Sequence, residues 1–148
     1  MSRPHTLPDI GFKLMGLSHR AILRLSGGRI LHSAFGMPVL ELRTTGRTTG
    51  QARTTMLTTP VHDDNRVVLV ASKGGDDHDP QWYRNLQVNP DVEIVLEGRT
   101  RKLRARTASA DEKAELWPQI LGAYKGYGDY QARARRDIPV VICGPRSV

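Results

Sequence analysis

Four segments of the chain carry side chains whose types and spacing can do chemistry. The first is Thr44-Thr45-Gly46-Arg47-Thr48-Thr49-Gly50-Gln51-Ala52-Arg53. Its glycines admit backbone angles closed to other residues, so several N–H groups can point at one oxyanion. The hydroxyls add donors, and the guanidiniums of Arg47 and Arg53 can grip phosphate through two bonds at once. The nucleotide-hydrolase pattern G-x-x-x-x-G-K-[ST] is absent. The segment therefore reads either as an anion site or as a plain turn. The second is Ala71-Ser72-Lys73-Gly74-Gly75, where an apolar run opens into glycines. A flat ligand can approach the backbone there, beside the Ser72 hydroxyl and the Lys73 charge. A loop alone would look the same.

The third segment is Pro80-Gln81-Trp82-Tyr83-Arg84-Asn85-Leu86. At helical spacing, Trp82, Asn85 and Leu86 share one face, so the indole either lines a ring pocket or packs in a core. The fourth places Tyr124, Tyr127 and Tyr130 around Gly126 and Gly128. Phenols in a glycine-loosened stretch suit a mobile lid over a hydrophobic substrate; packing against the body of the fold competes with that reading.

Other chemistries lack their residues. His5, His19, His32, His62 and His78 show no H-x-x-x-H or H-E-x-x-H spacing, so no metal site is expected. There is no G-x-S-x-G elbow. The run Asp76-Asp77-His78-Asp79 reads as a polar loop. The lone Cys143 cannot form an internal disulfide, and its apolar neighbours mark it as a quiet strand residue.

Strands must position most of these groups. The pattern predicts six, at Pro38–Thr45, Ala52–Pro60, Arg66–Ser72, Asp91–Glu97, Thr100–Thr107 and Ile138–Cys143. Leu40, Leu42 and Thr44 share one face of the first; Val92, Ile94 and Leu96 share one face of the fourth. Gly98-Arg99 is a hairpin candidate. Short connections favour an antiparallel, closed or nearly closed barrel. Helices are expected at Pro80–Val88, from Ser109 with Glu112 completing a capping box, and at Asp129–Arg136. The second should bury the stripe Ala110, Ala114, Trp117, Leu121 and Tyr124. Ahead of the body, residues 10–25 form a basic amphipathic pattern, which can rest on an anionic membrane face or dock on the barrel. The organisation is then an N-terminal arm, 1–37, and a barrel domain, 38–148.

At 148 residues the chain has the length of one domain, and it contains no apolar stretch long enough for a membrane helix. A net charge of +7 favours anionic partners. Aromatic residues are 5% of the chain and are not interleaved with Arg on a strand. The stacking platform of a nucleic-acid-binding barrel is therefore missing, and no nucleic-acid partner is expected. The first ten residues lack an export signal, which points to the cytoplasm.

The stretches Leu42–Arg53, Val67–Gly75, Pro80–Pro90 and Trp117–Tyr130, with the terminal Ile138-Pro139-Val140-Val141, together resemble the deazaflavin-dependent nitroreductase family. The resemblance implies a split β-barrel, mainly β with covering helices. It also implies an oxidoreductase that uses reduced coenzyme F-420 to pass hydride to quinones, nitroaromatics or activated enones. By the same resemblance, Arg47, Thr48, Thr49, Arg53, Thr54, Thr55 and Met56 hold the coenzyme's phosphate and polyanionic tail. Val70, Ala71, Ser72 and Lys73 meet the deazaflavin ring, and Gln81, Trp82, Tyr83, Arg84 and Asn85 form the neighbouring helix. Tyr124, Tyr127 and Tyr130 border a small hydrophobic acceptor, with Tyr127 also touching the coenzyme. Tyr127, Tyr130 or Ser72 would supply a proton or hydrogen bond. Two positions depart from the pattern: Thr48, where some members have Lys, and Thr58, where an aromatic can line the substrate pocket. The alternatives are the same barrel holding FMN or haem, or a coenzyme or lipid carrier without turnover.

Overall fold

The computed structural model describes residues 33–146; the amphipathic pattern at 10–25 and most of the predicted arm lie outside them. Eight strands form one antiparallel sheet: β1 Ser33–Ala34, β2 Met37–Thr45, β3 Ala52–Thr58, β4 Val61–His62, β5 Val67–Val70, β6 Asp91–Leu96, β7 Arg99–Thr107 and β8 Val140–Pro145. The six expected strands are all present, and β1 and β4 are two-residue additions. The strand order is β1-β2-β6-β7-β8-β5-β4, with β3 on the other side of β2. Thr59 bridges the two ends of that order. Its N–H donates to Pro38 O, and its hydroxyl lies 2.8 Å from Val68 O and 2.9 Å from Val61 O. The end of β3 is thereby drawn to β5, giving a split barrel.

Alternation decides what the barrel encloses. Leu40, Leu42 and Thr44 of β2 and Val92, Ile94 and Leu96 of β6 are buried, as their period of two requires. β5 departs from alternation because both its faces are covered. Val67 and Leu69 join Trp82, Tyr83, Leu86 and Cys143 in one core, while Val68 and Val70 join Leu116, Ile120, Tyr127 and Ile138 in a second. Burial pushes the Cys143 thiol up to about 12.

Three helices cover the sheet: α1 Gln81–Val88, α2 Ala110–Ala123 and α3 Gly126–Arg133. Ser109 caps α2 as expected, accepting from Glu112 N while the Glu112 carboxylate accepts from Ser109 N. Three local expectations are corrected. The α2 stripe is only partly as expected: Trp117, Leu121 and Tyr124 pack half-buried on the second core, but its centre shifts to the buried Leu116 and Ile120 and leaves Ala110 and Ala114 exposed, because large aliphatic groups gain more from burial than a methyl. The β6–β7 turn is Glu97-Gly98, one residue earlier than Gly98-Arg99; both residues have positive φ, as a two-residue hairpin turn demands. The last helix runs over 126–133 and not 129–136. Gly126 lets the chain begin the helix where any Cβ would strike the Tyr124 ring. Past Arg133 the backbone turns extended, and Arg135 and Arg136 pair with Asp77 and Asp79.

Candidate functional site

The β2–β3 hairpin, the start of α1, the end of β5 and the tyrosines of α2 and α3 converge on one cleft with two chambers. An apolar chamber of about 650 Å³ is lined by Met37, Val39 and Phe35 on the β1–β2 side, and by residues 54–58 of β3. Val70, Ser72, Lys73, Pro80, Trp82 and the three tyrosines complete its wall. A polar chamber of about 670 Å³ is lined by Arg47, Thr48, Thr49, Arg53, Gln81 and Asn85. Thr54, Thr55 and Trp82 border both, so the chambers adjoin along these residues.

The polar chamber grows from the β2–β3 loop. Gly46 N donates to Gln51 O and Gly50 N to Gly46 O, which folds the loop back on itself. A Cβ on Gly46 would lie 2.9 Å from Thr49 Oγ1, so the turn admits only glycine without displacement. This corrects one expectation. The N–H groups of Gly46, Gly50 and Gln51 are bonded within the loop, and that of Arg47 goes to Asn85 Oδ1. The anion-binding capacity therefore lies in side chains more than in a backbone nest. The Arg47 guanidinium donates to Asn85 Oδ1 at 2.8 Å and to Gln81 Oε1 at 2.7 Å, both neutral acceptors. Arg53 has no hydrogen-bond or carboxylate partner among the described residues, whereas Arg43, Arg104, Arg106 and Arg136 are each paired with an acid. Two uncompensated cations thus face one chamber.

The apolar chamber ends at Ser72-Lys73-Gly74-Gly75. Lys73, Gly74 and Gly75 all have positive φ, and a short 3-10 turn spans Lys73–Gly75. A Cβ on Gly75 would sit 3.1 Å from the Tyr130 backbone, so glycine lets this turn press against α3. Arg136 fastens it from behind. Its guanidinium donates to Asp79 Oδ1, Ala71 O, Ser72 O and Asp76 O. Sequence reasoning missed this arginine, and the acidic loop at 76–79 is its partner. The Ser72 side chain is nearly buried, and its hydroxyl has no hydrogen-bond partner among the described residues.

The three phenols form one ring cluster, with Tyr127 edge-on to both Tyr124 and Tyr130. Tyr127 is buried in the second core and also faces the chamber, its hydroxyl 3.3 Å from Thr58 Oγ1 and 3.7 Å from Met37 Sδ. Thr58 thus meets a tyrosine across the chamber wall. Burial raises the Tyr127 pKa, against a smaller opposing effect of the Thr58 hydrogen bond. The Tyr130 hydroxyl lies 3.4 Å from that of Tyr124, and this hydrogen bond is the main cause of its raised pKa.

Most of the residues singled out in the sequence line this cleft. Three do not: the Ala71 side chain and Tyr83 are buried in the first core, with the Tyr83 hydroxyl on Thr107 Oγ1, and Arg84 lines neither chamber. Phe35, Met37, Val39 and Leu57 line the apolar chamber without having been singled out. The Met37/Val39 alternation, opposite in phase to Leu40, was the available signal.

A deazaflavin with a polyanionic tail fits this donor set, an apolar chamber that adjoins a polar one holding two unneutralised guanidiniums. Comparison with known proteins agrees. The family model for F420H(2)-dependent quinone reductase matches residues 17–145. An F420H(2)-dependent quinone reductase of Mycobacterium tuberculosis H37Rv is 43% identical over 138 residues, covering 90% of this chain and 91% of the relative. A solved F420-H2 dependent reductase, FDR-A, is 34% identical with a TM-score of 0.65, covering 72% of this chain and 93% of that one. A solved domain-swapped dimer, also 34% identical, has a TM-score of 0.66 and covers 72% of this chain and 79% of that one. A haem-binding protein from Mycobacterium smegmatis, at 22% identity and TM-score 0.56, shares the fold alone. The chain belongs to the F420H(2)-dependent quinone reductase family.

Proposed function

We propose that the two-chamber cleft binds reduced coenzyme F-420, with its anionic tail on Arg47 and Arg53 and its ring system in the apolar chamber, and that a quinone is reduced there. The observation that carries this reading is that an apolar chamber and an arginine-lined polar chamber adjoin at Thr54, Thr55 and Trp82. When bound, the coenzyme supplies a hydride, the chemistry this residue set cannot perform alone.

The side chains bind, orient and protonate. Arg47 is held in place by Asn85 and Gln81, so it meets an anion preorganised, while Arg53 is free to follow the tail. The apolar wall excludes water from the ring chamber and strengthens polar contacts made inside it. Hydride addition to a quinone leaves an anionic oxygen that needs one proton. Tyr127 is suited to give a hydrogen bond or that proton, since burial keeps its phenol neutral. Tyr130, less buried and hydrogen-bonded to Tyr124, is an alternative donor on the same wall. The unpartnered Ser72 hydroxyl, which also lines the chamber, is a second donor.

Titrating the protein with reduced F-420 and then adding menadione tests the reading. Saturable binding followed by coenzyme oxidation is expected. Absence of binding would overturn it, and binding without oxidation by any quinone would reduce the cleft to a carrier site. Nitroaromatics and activated enones, tested in the same assay, would extend the acceptor range.

A further inference from the structure

We infer that Phe35, at the tip of the β1–β2 hairpin, is a specificity-determining wall of the apolar chamber that selects flat fused-ring acceptors over single-ring ones. The inference rests on the quinone-reductase reading of the cleft and adds a residue outside the sequence motifs.

Phe35 fits neither of the roles that would ordinarily place a phenylalanine there. As a packing residue it is poor, since 70% of its surface is exposed and it has no polar tip to favour that exposure. As a turn residue it is worse. Phe35 and Gly36 are the two central residues of a hairpin turn closed by Ala34 opposite Met37, and Phe35 has φ of 55°. Such turns favour glycine, asparagine or aspartate at that position, because a Cβ in the left-handed region crowds the backbone. Gly36 shows that the next position follows the rule. A bulky residue held in a disfavoured conformation is a feature that clusters at ligand clamps.

Its ring has a place in the chamber. Phe35 lines the wall beside Tyr124, with centroids 5.1 Å apart and planes tilted by 33°. Tyr124 in turn meets Tyr127 edge-on at 5.4 Å and Tyr130 at 6.2 Å. The hairpin therefore extends the tyrosine cluster outward by one ring. A single-ring quinone seated against Tyr127 leaves that outer ring unused, whereas a fused bicycle reaches it and covers apolar surface that is otherwise wet. Ring-on-ring contact of this kind favours planar ligands beyond what buried area alone provides.

The test is Phe35→Gly, titrated with menadione (bicyclic) and duroquinone (single ring) by quenching of tryptophan fluorescence without coenzyme. Trp82 lines the chamber and serves as the reporter. The variant should bind menadione about tenfold more weakly than the unmodified protein and duroquinone almost equally. Its thermal midpoint should be unchanged or higher, since glycine suits the turn. Phe35→Leu, which keeps the apolar surface without the ring, should lie between the two. Equal menadione affinity in Phe35→Gly, equal losses for both quinones, or no menadione binding by the unmodified protein would each overturn the inference. Because binding is read without coenzyme, failure of the hydride-transfer reading would appear separately, as menadione binding without oxidation of reduced F-420.

Discussion

Arg47 and Arg53 face the same chamber but should answer differently to removal. Arg53→Ala deletes a guanidinium that holds nothing else among the described residues, so coenzyme affinity should fall about tenfold with no loss of thermal stability. Arg47→Ala also takes a partner from the buried Asn85 side chain and should cost about 1 kcal/mol of stability besides the affinity. Coenzyme titration and thermal melts on both variants separate the two. Tyr127→Phe keeps the ring and its packing and removes the hydroxyl. Turnover should drop about 100-fold with little change in coenzyme affinity, if this phenol is the donor. Since its pKa is raised in the folded protein, the protonated donor persists past the ordinary tyrosine range. The alkaline fall in kcat should therefore lie above pH 10, and a fall near pH 8 would assign the proton to another group. Arg47, Arg53, Ser72 and the tyrosines were legible because their chemistry is carried by residue type. Phe35 was not, because its significance lies in a backbone angle and a position that no motif records.

At the scale of elements, α2 was legible through its cap and only in part in its buried face, where Trp117, Leu121 and Tyr124 pack as expected. Ser109 and Glu112 announce the start by residue type at a fixed spacing. The buried face depends instead on which of two overlapping stripes meets the sheet, and Leu116 and Ile120 outweigh Ala110 and Ala114. The cap also has a pH signature. The bidentate Arg106 contact, helped by the Ser109 N–H, holds the Glu112 carboxyl at about 2 against an ordinary 4.5. A carboxylate depressed in the folded state contributes stability that is complete above pH 4.5 and is lost as pH falls toward 2. Glu112→Gln should therefore flatten the acid side of the stability curve between those values. Ser109→Ala should lower stability by about 1 kcal/mol at pH 7. Chemical denaturation at several pH values checks both.

For the whole molecule, an antiparallel barrel was implied by alternation and short connections, but the strand order and the cleft were not. The cleft exists only because Thr59 draws β3 to β5 and Arg136 pins the end of β5 beside α3. Those contacts join positions far apart in sequence, and pattern within a segment cannot disclose them. The charge distribution acts at the same scale. With a net charge of +7 and two unneutralised guanidiniums in one chamber, coenzyme affinity should decline several-fold between 50 and 500 mM salt, while menadione affinity stays level. Arg53→Ala should flatten the salt dependence; an equal slope in the variant would place the anionic tail elsewhere. The other consequence concerns survival among reactive molecules. Many quinones arylate thiols by conjugate addition, so an enzyme that gathers them into an apolar chamber invites covalent damage to itself. The only cysteine of this chain, Cys143, is 0% exposed between strands, with its thiol pushed up to about 12. The nucleophilic thiolate is thus scarce and out of reach. The folded protein offers its own substrates no thiol to attack, and thiol arylation becomes a hazard of the unfolded chain alone.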